Sequence, residues 1–363
     1  MHPPSALRQS PWLFENHAGL AGLAWTPLVK APTPVQRLDR VGSTLGREIW
    51  IKRDDLTSDD YGGNKPRKLE FILGDALAKG KNTLYTGGGI GTNHGLATAL
   101  YGRKLGFDVV LCLFDQPVTE HVRKCLRLYH ACGAEIVPAG SLARFVLRYY
   151  LIDRVRRAGA YFVYPGGSSP VGVLGYVDAA LELARQIEAG EMPLPGAIFV
   201  PAGTCGTSAG LLLGLRMAGL DTEVVGVKVA SNISANPKAT LNLVRGTQAL
   251  MRRYDPSVPA LDFRLEDVRM DLDHFGPGYG WPTDAGRAGR ALMADAEGID
   301  LDLTYTAKAF AALLDRARKA GDDRPLLFWN TFNSIDLTAL ARDVDYQDLP
   351  RALHRCFTCE LTD

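Results

Sequence analysis

The feature that most constrains this chain is a regular alternation of strand and helix patterns between about residue 64 and residue 230. Short apolar runs typical of buried strands lie at residues 83–86, 109–114, 134–137, 161–164, 197–200 and 224–229, and helical periodicity fills the stretches between them. Strands separated by helices form parallel sheets that are covered on both faces. The sequence therefore predicts an α/β fold. Within it, Pro117 is expected to open a helix.

Charge and hydropathy exclude several partners. Lys plus Arg number 41 and Asp plus Glu number 40, so the formal net charge is +1 and there is no electrostatic signature of a nucleic-acid partner. The longest uninterrupted apolar run is six residues, too short for a membrane-spanning helix. The first residues show no secretion pattern, so the six cysteines are expected to be reduced and the protein cytoplasmic.

Three glycine-rich segments, at residues 87–94, 165–170 and 202–210, each follow a predicted strand. A strand, a glycine loop and a helix start together favour an anion, because free N–H groups and the helix dipole meet there. The dinucleotide fingerprint and the nucleotide phosphate-loop pattern are both missing, which disfavours NAD and nucleoside triphosphates. The third loop has room for one phosphate, and the hydroxyls of Thr204 and Thr207 add donors. The alternative is that these glycines only form tight turns.

One lysine stands at a helix entrance. Lys65 follows Gly62, Gly63 and Asn64 and precedes Pro66, a residue favoured at the first helical position. A lysine held there can be neutral enough to form a Schiff base with an aldehyde. Lys68, one turn later, could neutralise a phosphate. The alternative reading of Lys65 is an ordinary solvated lysine.

Several segments together resemble one enzyme family. The chain is similar to fold type II pyridoxal-phosphate enzymes of the D-cysteine desulfhydrase and aminocyclopropane-carboxylate deaminase group. The matching segments keep the group's order over about residues 25–331: Thr26-Pro27-Leu28, Ile51-Lys52-Arg53-Asp54-Asp55-Leu56, Gly62-Gly63-Asn64-Lys65 with Arg67-Lys68-Leu69-Glu70, Thr92-Asn93-His94, Pro165-Gly166-Gly167-Ser168, Gly172 with Gly175-Tyr176, the loop 203–210, Gly278-Tyr279-Gly280-Trp281-Pro282 and Tyr305-Thr306-Ala307-Lys308.

The resemblance implies a fold, a cofactor and an assembly. The expected fold is two open, twisted, mostly parallel sheets flanked by helices, of the tryptophan synthase β type, with pyridoxal 5'-phosphate in the cleft between two domains. Residues 1–64 and 176–363 would form the large cofactor-binding domain and residues 65–175 the small one. A small amino acid is the expected substrate, and a homodimer is the expected assembly.

The resemblance also implies roles for single residues. Lys65 would bind the cofactor as a Schiff base and move the α-proton, and Thr92 and Tyr279 would assist as further catalytic residues. The cofactor would also contact a second set: Lys68, Asn93, Gly203, Thr204, Cys205, Gly206, Thr207 and Thr331. Thr331 would place a neutral hydroxyl near the pyridine nitrogen, which favours elimination over transamination. The substrate would contact Thr92, Asn93, His94, Ser168, Tyr279 and Phe332.

Two departures from the group's pattern concern the substrate side. Thr92 stands where the group usually has serine, and Phe332 and Asn333 replace two glycines after Thr331. Phe332 is expected to narrow the pocket. The predicted function is a lyase or deaminase that acts by α-proton removal and β-elimination, with D-cysteine or a cysteate-type compound as candidate substrate. The alternatives are a racemase, a β-replacement enzyme and a catalytically impaired cofactor-binding protein.

Acidic residues outside these motifs have ordinary interpretations. Asp54 and Asp55 are expected to cap the chain or pair with Arg53. Glu182 and Glu188 lie in a helical pattern and are expected on its solvated face. Cys356 and Cys359 have no further ligands at zinc spacing, so no metal site is predicted.

Overall fold

The computed structural model describes residues 7–319, 321 and 323–362. The described residues form two compact units. The first contains the residues up to Phe71 together with Ser168–Ile335, and the second contains Ile72–Gly167 together with the residues from Asp336 onward.

The ten strands, numbered along the chain, are β1 (Val35–Arg37), β2 (Ile49–Lys52), β3 (Thr83–Gly89), β4 (Asp108–Phe114), β5 (Glu135–Gly140), β6 (Tyr161–Phe162), β7 (Ala197–Ala202), β8 (Glu223–Lys228), β9 (Arg269–Asp271) and β10 (Leu326–Trp329) among the described residues. The α-helices found there are α1 (Trp12–Asn16), α2 (Asp39–Leu45), α3 (Lys65–Ala78), α4 (Asn93–Lys104), α5 (Glu120–Ala131), α6 (Leu142–Leu147), α7 (Asp153–Arg156), α8 (Pro170–Glu188), α9 (Gly206–Met217), α10 (Pro237–Tyr254), α11 (Asp284–Glu297), α12 (Thr306–Ala317) and α13 (Arg355–Thr358). A π-helical turn, Arg148–Ile152, joins α6 to α7.

The first unit contains a six-stranded sheet in the order β1-β2-β10-β7-β8-β9. Only the edge pair β1 and β2 is antiparallel, and the other neighbours in this sheet are parallel. Alternate residues of β10 belong to different apolar clusters: Leu327 and Trp329 pack in one, and Leu326 and Phe328 in the other. The sheet is therefore covered on both faces, as the sequence predicts.

The second unit contains a four-stranded parallel sheet in the order β5-β4-β3-β6. Its core includes Tyr85, Val110, Cys112, Phe145 and Tyr149. The α/β class and the two mostly parallel sheets are thus confirmed. In the described part of the chain, no helix is both long and apolar enough to cross a membrane.

The C-terminal segment groups differently from the predicted domains, which assign it to the large one. In the structure, residues from Asp336 onward belong to the second unit. The Arg123 guanidinium donates to the carbonyl oxygens of Cys356 (2.9 Å) and Cys359 (2.7 Å). Lys124 also pairs with Asp336 at 2.9 Å. These polar contacts with α5 give the physical reason, since no sequence periodicity encodes them.

Two local predictions need correction. The run Gly87–Gly89 is not a loop after a strand but the last part of β3, where Gly87 pairs with Cys112. A Cβ atom on Gly87 would overlap the Cys112 carbonyl oxygen and the Phe145 ring, so close packing requires glycine there. Helix α5 begins at Glu120 rather than at Pro117, because the hydroxyl of Thr119 accepts from Val122 N and caps it.

Candidate active site

The approach to Lys65 requires glycine at two positions. Gly63 has φ +86°, and a Cβ atom there would lie 2.6 Å from the Thr331 carbonyl oxygen. A Cβ atom on Gly62 would overlap the carbonyl oxygen of Asp55. Gly63 N donates to Asp54 O at 2.8 Å, and Asn64 N donates to Thr331 O at 3.2 Å. The loop that leads into α3 is therefore held tightly against two other segments.

Lys65 is the first residue of α3, and its amine is held by the preceding residue. Lys65 Nζ donates to Asn64 Oδ1 at 2.6 Å. Burial lowers the pKa of Lys65 to about 8, although the negative charge of Asp302 opposes this shift. The amine is thus far closer to neutrality at physiological pH than an ordinary lysine, which suits a nucleophile or a base. The sequence reasoning did not assign Asn64 to the site, although it directly precedes Lys65.

The side chain of Lys68 is buried beside the third glycine loop. A Cβ atom on Gly206 would lie 2.9 Å from Lys68 Nζ and 2.5 Å from Ser168 Oγ. Burial and the positive charge of Lys65 lower the pKa of Lys68 well below its usual value. An anion bound here would offset both effects and favour the charged ammonium.

The third loop joins β7 to α9, as the sequence predicts. Ser168 Oγ lies 2.6 Å from Thr204 Oγ1 and accepts a hydrogen bond from Gly206 N at 3.2 Å. Asn64 Nδ2 donates to Thr207 Oγ1 at 3.0 Å. The N-terminus of the twelve-residue helix α9 is therefore surrounded by the hydroxyls of Thr204, Thr207 and Ser168 and by the buried Lys68. An anion is favoured at such a position.

Cys205 has an unusual backbone at the start of α9. Its φ is +63°, in the left-handed region, and its thiol is buried. The sulfur lies 3.4 Å from Ser234 O and 3.8 Å from Asn236 O. Because the thiol is directed at these carbonyl oxygens, Cys205 can contact a cofactor only through its main chain.

Two tyrosines lie beside the same loop. The hydroxyls of Tyr279 and Tyr305 are 2.5 Å apart, and the Tyr305 ring lies 3.8 Å from the Cβ position of Gly203. Asp302 accepts from Tyr305 N at 2.6 Å and from Thr306 N at 3.1 Å, which fixes the start of α12. Tyr305 thus links Tyr279 to the loop 203–207.

Thr331 is buried just after β10 and is linked to the Lys65 loop through its carbonyl oxygen. Phe332 is partly buried. Asn333 accepts a hydrogen bond from Gly62 N through Oδ1 at 2.6 Å. The first unit therefore brings Lys65, Thr331 and the loop 203–207 together through hydrogen bonds, and Lys68 and Ser168 lie beside that loop.

Thr92, Asn93 and His94 lie in the second unit. Thr92 caps α4 by accepting from Gly95 N at 3.3 Å, and Asn93 is the first residue of that helix. His94 is buried, with Nε2 3.1 Å from Thr86 Oγ1. Their roles toward cofactor and substrate stay predictions.

A network of buried ion pairs holds the first turn of α3, and the sequence does not predict it. Arg67 pairs with Asp54 and with Glu182, each at 2.8 Å, and Lys52 pairs with Glu182 at 2.5 Å. Tyr176 donates to Asp54 Oδ2 at 2.7 Å and is a core aromatic residue.

The prediction that Glu182 lies on a solvated face is wrong. Glu182 is buried and pairs with two cations from distant segments, whereas Glu188 is exposed. Asp55 does pair with Arg53 at 2.7 Å, but Asp54 pairs with Arg67 instead.

These residues fit pyridoxal phosphate. An amine with a lowered pKa can bind an aldehyde, and a buried ammonium at a helix N-terminus can bind a phosphate. The glycine at position 206 leaves the space that a Cβ atom would fill. Lys65 and the loop 203–207 are joined through Asn64, so one small molecule can reach both.

Comparisons with known proteins agree with this chemistry. The sequence model of the family described as "Pyridoxal-phosphate dependent enzyme" matches residues 27–331. D-cysteine desulfhydrases of Salmonella newport and Salmonella enteritidis are each 38% identical over 320 residues, covering 84% of this chain and 92% of theirs.

Solved structures show the same relationship. A structure described as an ACC deaminase homologue superposes with a TM-score of 0.76 at 34% identity, covering 89% of this chain and 95% of its own. An alanine mutant of O-ureido-L-serine synthase superposes with a TM-score of 0.60 at 19% identity, over 92% of this chain and 97% of its own, which shows the shared fold. The resemblance to fold type II enzymes is therefore confirmed. The chain belongs to the family of pyridoxal-phosphate dependent enzymes.

Proposed function

We propose that this protein is a lyase or deaminase that removes the α-proton of a small amino acid and eliminates its β-substituent. The observation that carries the proposal is the pairing of Lys65, whose pKa is lowered to about 8, with a phosphate-type site one helical turn away. The relatives named D-cysteine desulfhydrase support D-cysteine as the first candidate substrate. A cysteate-type compound is the second.

The chain's own residues would divide the work of binding. Lys65 would hold the aldehyde carbon of pyridoxal phosphate. Gly203–Thr207, Ser168 and Lys68 would hold its phosphate, and Thr331 would face the ring nitrogen with a neutral hydroxyl. When bound, the cofactor withdraws electrons from the α-carbon of an attached amino acid.

Lys65 would then act as the base. With the cofactor and an amino acid bound, the Lys65 amine would take the α-proton, and its lowered pKa suits a base. The bond between Cβ and the leaving group breaks, and the leaving group departs with the bonding electrons. For D-cysteine and one water, the products are pyruvate, ammonia and hydrogen sulfide, which balances every atom. Tyr279, hydrogen-bonded to Tyr305, would orient the substrate.

A substrate panel tests this proposal. Purified protein with pyridoxal phosphate is assayed for ammonia and keto-acid release from D-cysteine, L-cysteate, β-chloroalanine and aminocyclopropane carboxylate, with the Lys65→Ala variant as control. We expect release from substrates with a β-leaving group, little ring opening, and no release by the variant. Robust ring opening with little β-elimination would overturn the proposal. Conversion of a substrate to its enantiomer without ammonia release would indicate a racemase. A product formed only when a thiol is added would indicate a β-replacement enzyme. No reaction with any of the four substrates would indicate a cofactor-binding protein.

We also propose a cytoplasmic homodimer. The six cysteines are all free thiols, which suits a reducing compartment. Large apolar side chains are exposed along one short stretch of the second unit: Leu142, Val146, Leu147, Tyr150, Leu151 and Val155. Contiguous apolar surface is typical of a protein interface. Light scattering should give twice the chain mass, and Leu151→Glu with Val155→Glu should shift the protein toward a monomer, whereas an unchanged mass would exclude this surface.

A further inference from the structure

We infer that Asn333 is a positioning residue that sets the place of Lys65 relative to Thr331. The inference builds on the proposed function, because its purpose is to align the base with the ring-nitrogen side of the same cofactor site. Its basis is a hydrogen bond between residues that are 271 positions apart in the sequence.

The side chain of Asn333 is held in a single orientation. Oδ1 accepts from Gly62 N at 2.6 Å and from Ile335 N at 3.1 Å, and Nδ2 donates to Ile335 O at 2.9 Å. The tight turn at Asn333 and Ile335 therefore aims Oδ1 at the loop before Lys65. Because this turn already orients Asn333 Oδ1, the side chain needs no rearrangement to accept the hydrogen bond from Gly62 N.

The loop before Lys65 offers three consecutive N–H groups, and each donates to an acceptor. Gly62 N donates to Asn333 Oδ1, Gly63 N to Asp54 O, and Asn64 N to Thr331 O. Only the first acceptor is a side chain. Asn333 is thus the position where one substitution can release this loop without altering the backbone that holds its other two donors.

Gly62 cannot shift toward its other neighbour. Its α-carbon is so close to the Asp55 carbonyl that a Cβ atom would overlap that oxygen. The loop is therefore packed on the Asp55 side and hydrogen-bonded on the Asn333 side. Two of its three donors end on the segment that carries Thr331, so this segment and Lys65 keep a constant separation.

Loss of this alignment should affect the chemical step. A displacement of about 1 Å at a reacting group costs on the order of 10²-fold in rate. Partial release in Asn333→Ala should lower kcat by roughly 10-fold and leave KM within about 2-fold, because the change displaces the base and removes no substrate-binding group. Asn333→Asp keeps the oxygen that accepts from Gly62 N but loses the Nδ2 donor to Ile335 O, and it should recover part of kcat.

Ser334→Ala is the matched control. Ser334 Oγ donates to Asp55 O at 3.0 Å, so this variant removes a bond between the same two segments without touching Gly62 N. Hydrogen–deuterium exchange of the peptide that contains Gly62, measured without cofactor, should be roughly 5-fold faster in Asn333→Ala, since one hydrogen bond contributes about 1 kcal/mol and 1.4 kcal/mol is tenfold. It should be unchanged in Asn333→Asp and Ser334→Ala.

With cofactor bound, the pH at which the visible absorbance band changes should shift in Asn333→Ala alone. Equal exchange and equal kcat in Asn333→Ala and Ser334→Ala would overturn the inference. A wild-type protein with no visible cofactor band would refute the proposed function instead, and the exchange comparison would still decide whether Asn333 holds the loop.

Discussion

Asn64 Nδ2 donates to Thr207 Oγ1 at 3.0 Å. The same Asn64 side chain accepts from Lys65 Nζ at 2.6 Å through its oxygen. One amide thus connects the amine at the start of α3 with the first turn of α9. The two ends of the proposed cofactor site, for the aldehyde and for the phosphate, are therefore connected by the residue just before the lysine.

Replacing Asn64 should weaken cofactor binding. Asn64→Ala removes both bonds, and at about 1 kcal/mol for each bond we expect the Kd of pyridoxal phosphate to rise roughly 10- to 30-fold. Fluorescence titration of cofactor-free protein measures this. Thr207→Ser retains the hydroxyl and serves as the control, so an equal loss of affinity in both variants would contradict the Asn64 bridge.

The lowered pKa of Lys65 has a direct kinetic consequence. Only the neutral amine attacks an aldehyde, and the neutral fraction rises with pH through the pKa. The rate at which cofactor-free protein binds pyridoxal phosphate covalently should therefore rise with pH and reach half its maximum near the Lys65 pKa of about 8. Stopped-flow absorbance from pH 6 to pH 10 measures it, and a midpoint near the ordinary lysine value of about 10.4 would show that burial does not act on this amine.

Gly206 should accept no side chain. A Cβ atom at this position would meet Ser168 Oγ at 2.5 Å and Lys68 Nζ at 2.9 Å. We expect Gly206→Ala to displace Lys68 and to lower affinity for inorganic phosphate and for pyridoxal phosphate by at least about tenfold, since a charge-assisted bond contributes about 1.5–3 kcal/mol. Calorimetric titration measures both. In Gly289→Ala, a Cβ atom has its nearest neighbours at 3.5 Å, and affinity should stay at the wild-type value.

The buried network beneath α3 should make stability depend on pH. Burial alone would raise the pKa of Glu182, but the charges of Arg67 and Lys52 outweigh it and hold the pKa well below its usual value. A carboxylate with a lowered pKa in the folded state stabilises the protein above the unfolded value of about 4.3, and this stability is lost as pH falls below it.

Glu182→Gln should therefore be strongly destabilising at neutral pH. Removing one member of a buried pair costs about 3–5 kcal/mol, because Lys52 loses its salt-bridge partner and Arg67 keeps only Asp54. Urea unfolding at pH 7 and pH 4 measures the effect, and the difference between variant and wild type should shrink at the lower pH. Glu188→Gln, on the exposed end of the same helix, should change the free energy of unfolding by less than about 0.5 kcal/mol.

The sequence alone was sufficient for the fold class, the candidate lysine and the phosphate-type loop. Each of these depends on residues close together in the chain: apolar runs for strands such as β7, glycines before Lys65, and a glycine and threonine loop before α9. Such local patterns restrict the backbone directly, because glycine, proline and capping residues act over a few positions.

Tertiary structure alone decided which charges are buried and which side chains hold the site in place. Glu182 is a polar residue in a helical pattern, and its burial is compensated only by Arg67 and Lys52, which are 115 and 130 positions away. Asn333 reaches Gly62 across 271 positions. Periodicity shows which face of an element is apolar. It does not identify the distant residue that neutralises a buried charge or orients a loop, because the packing of the complete chain brings that residue into contact.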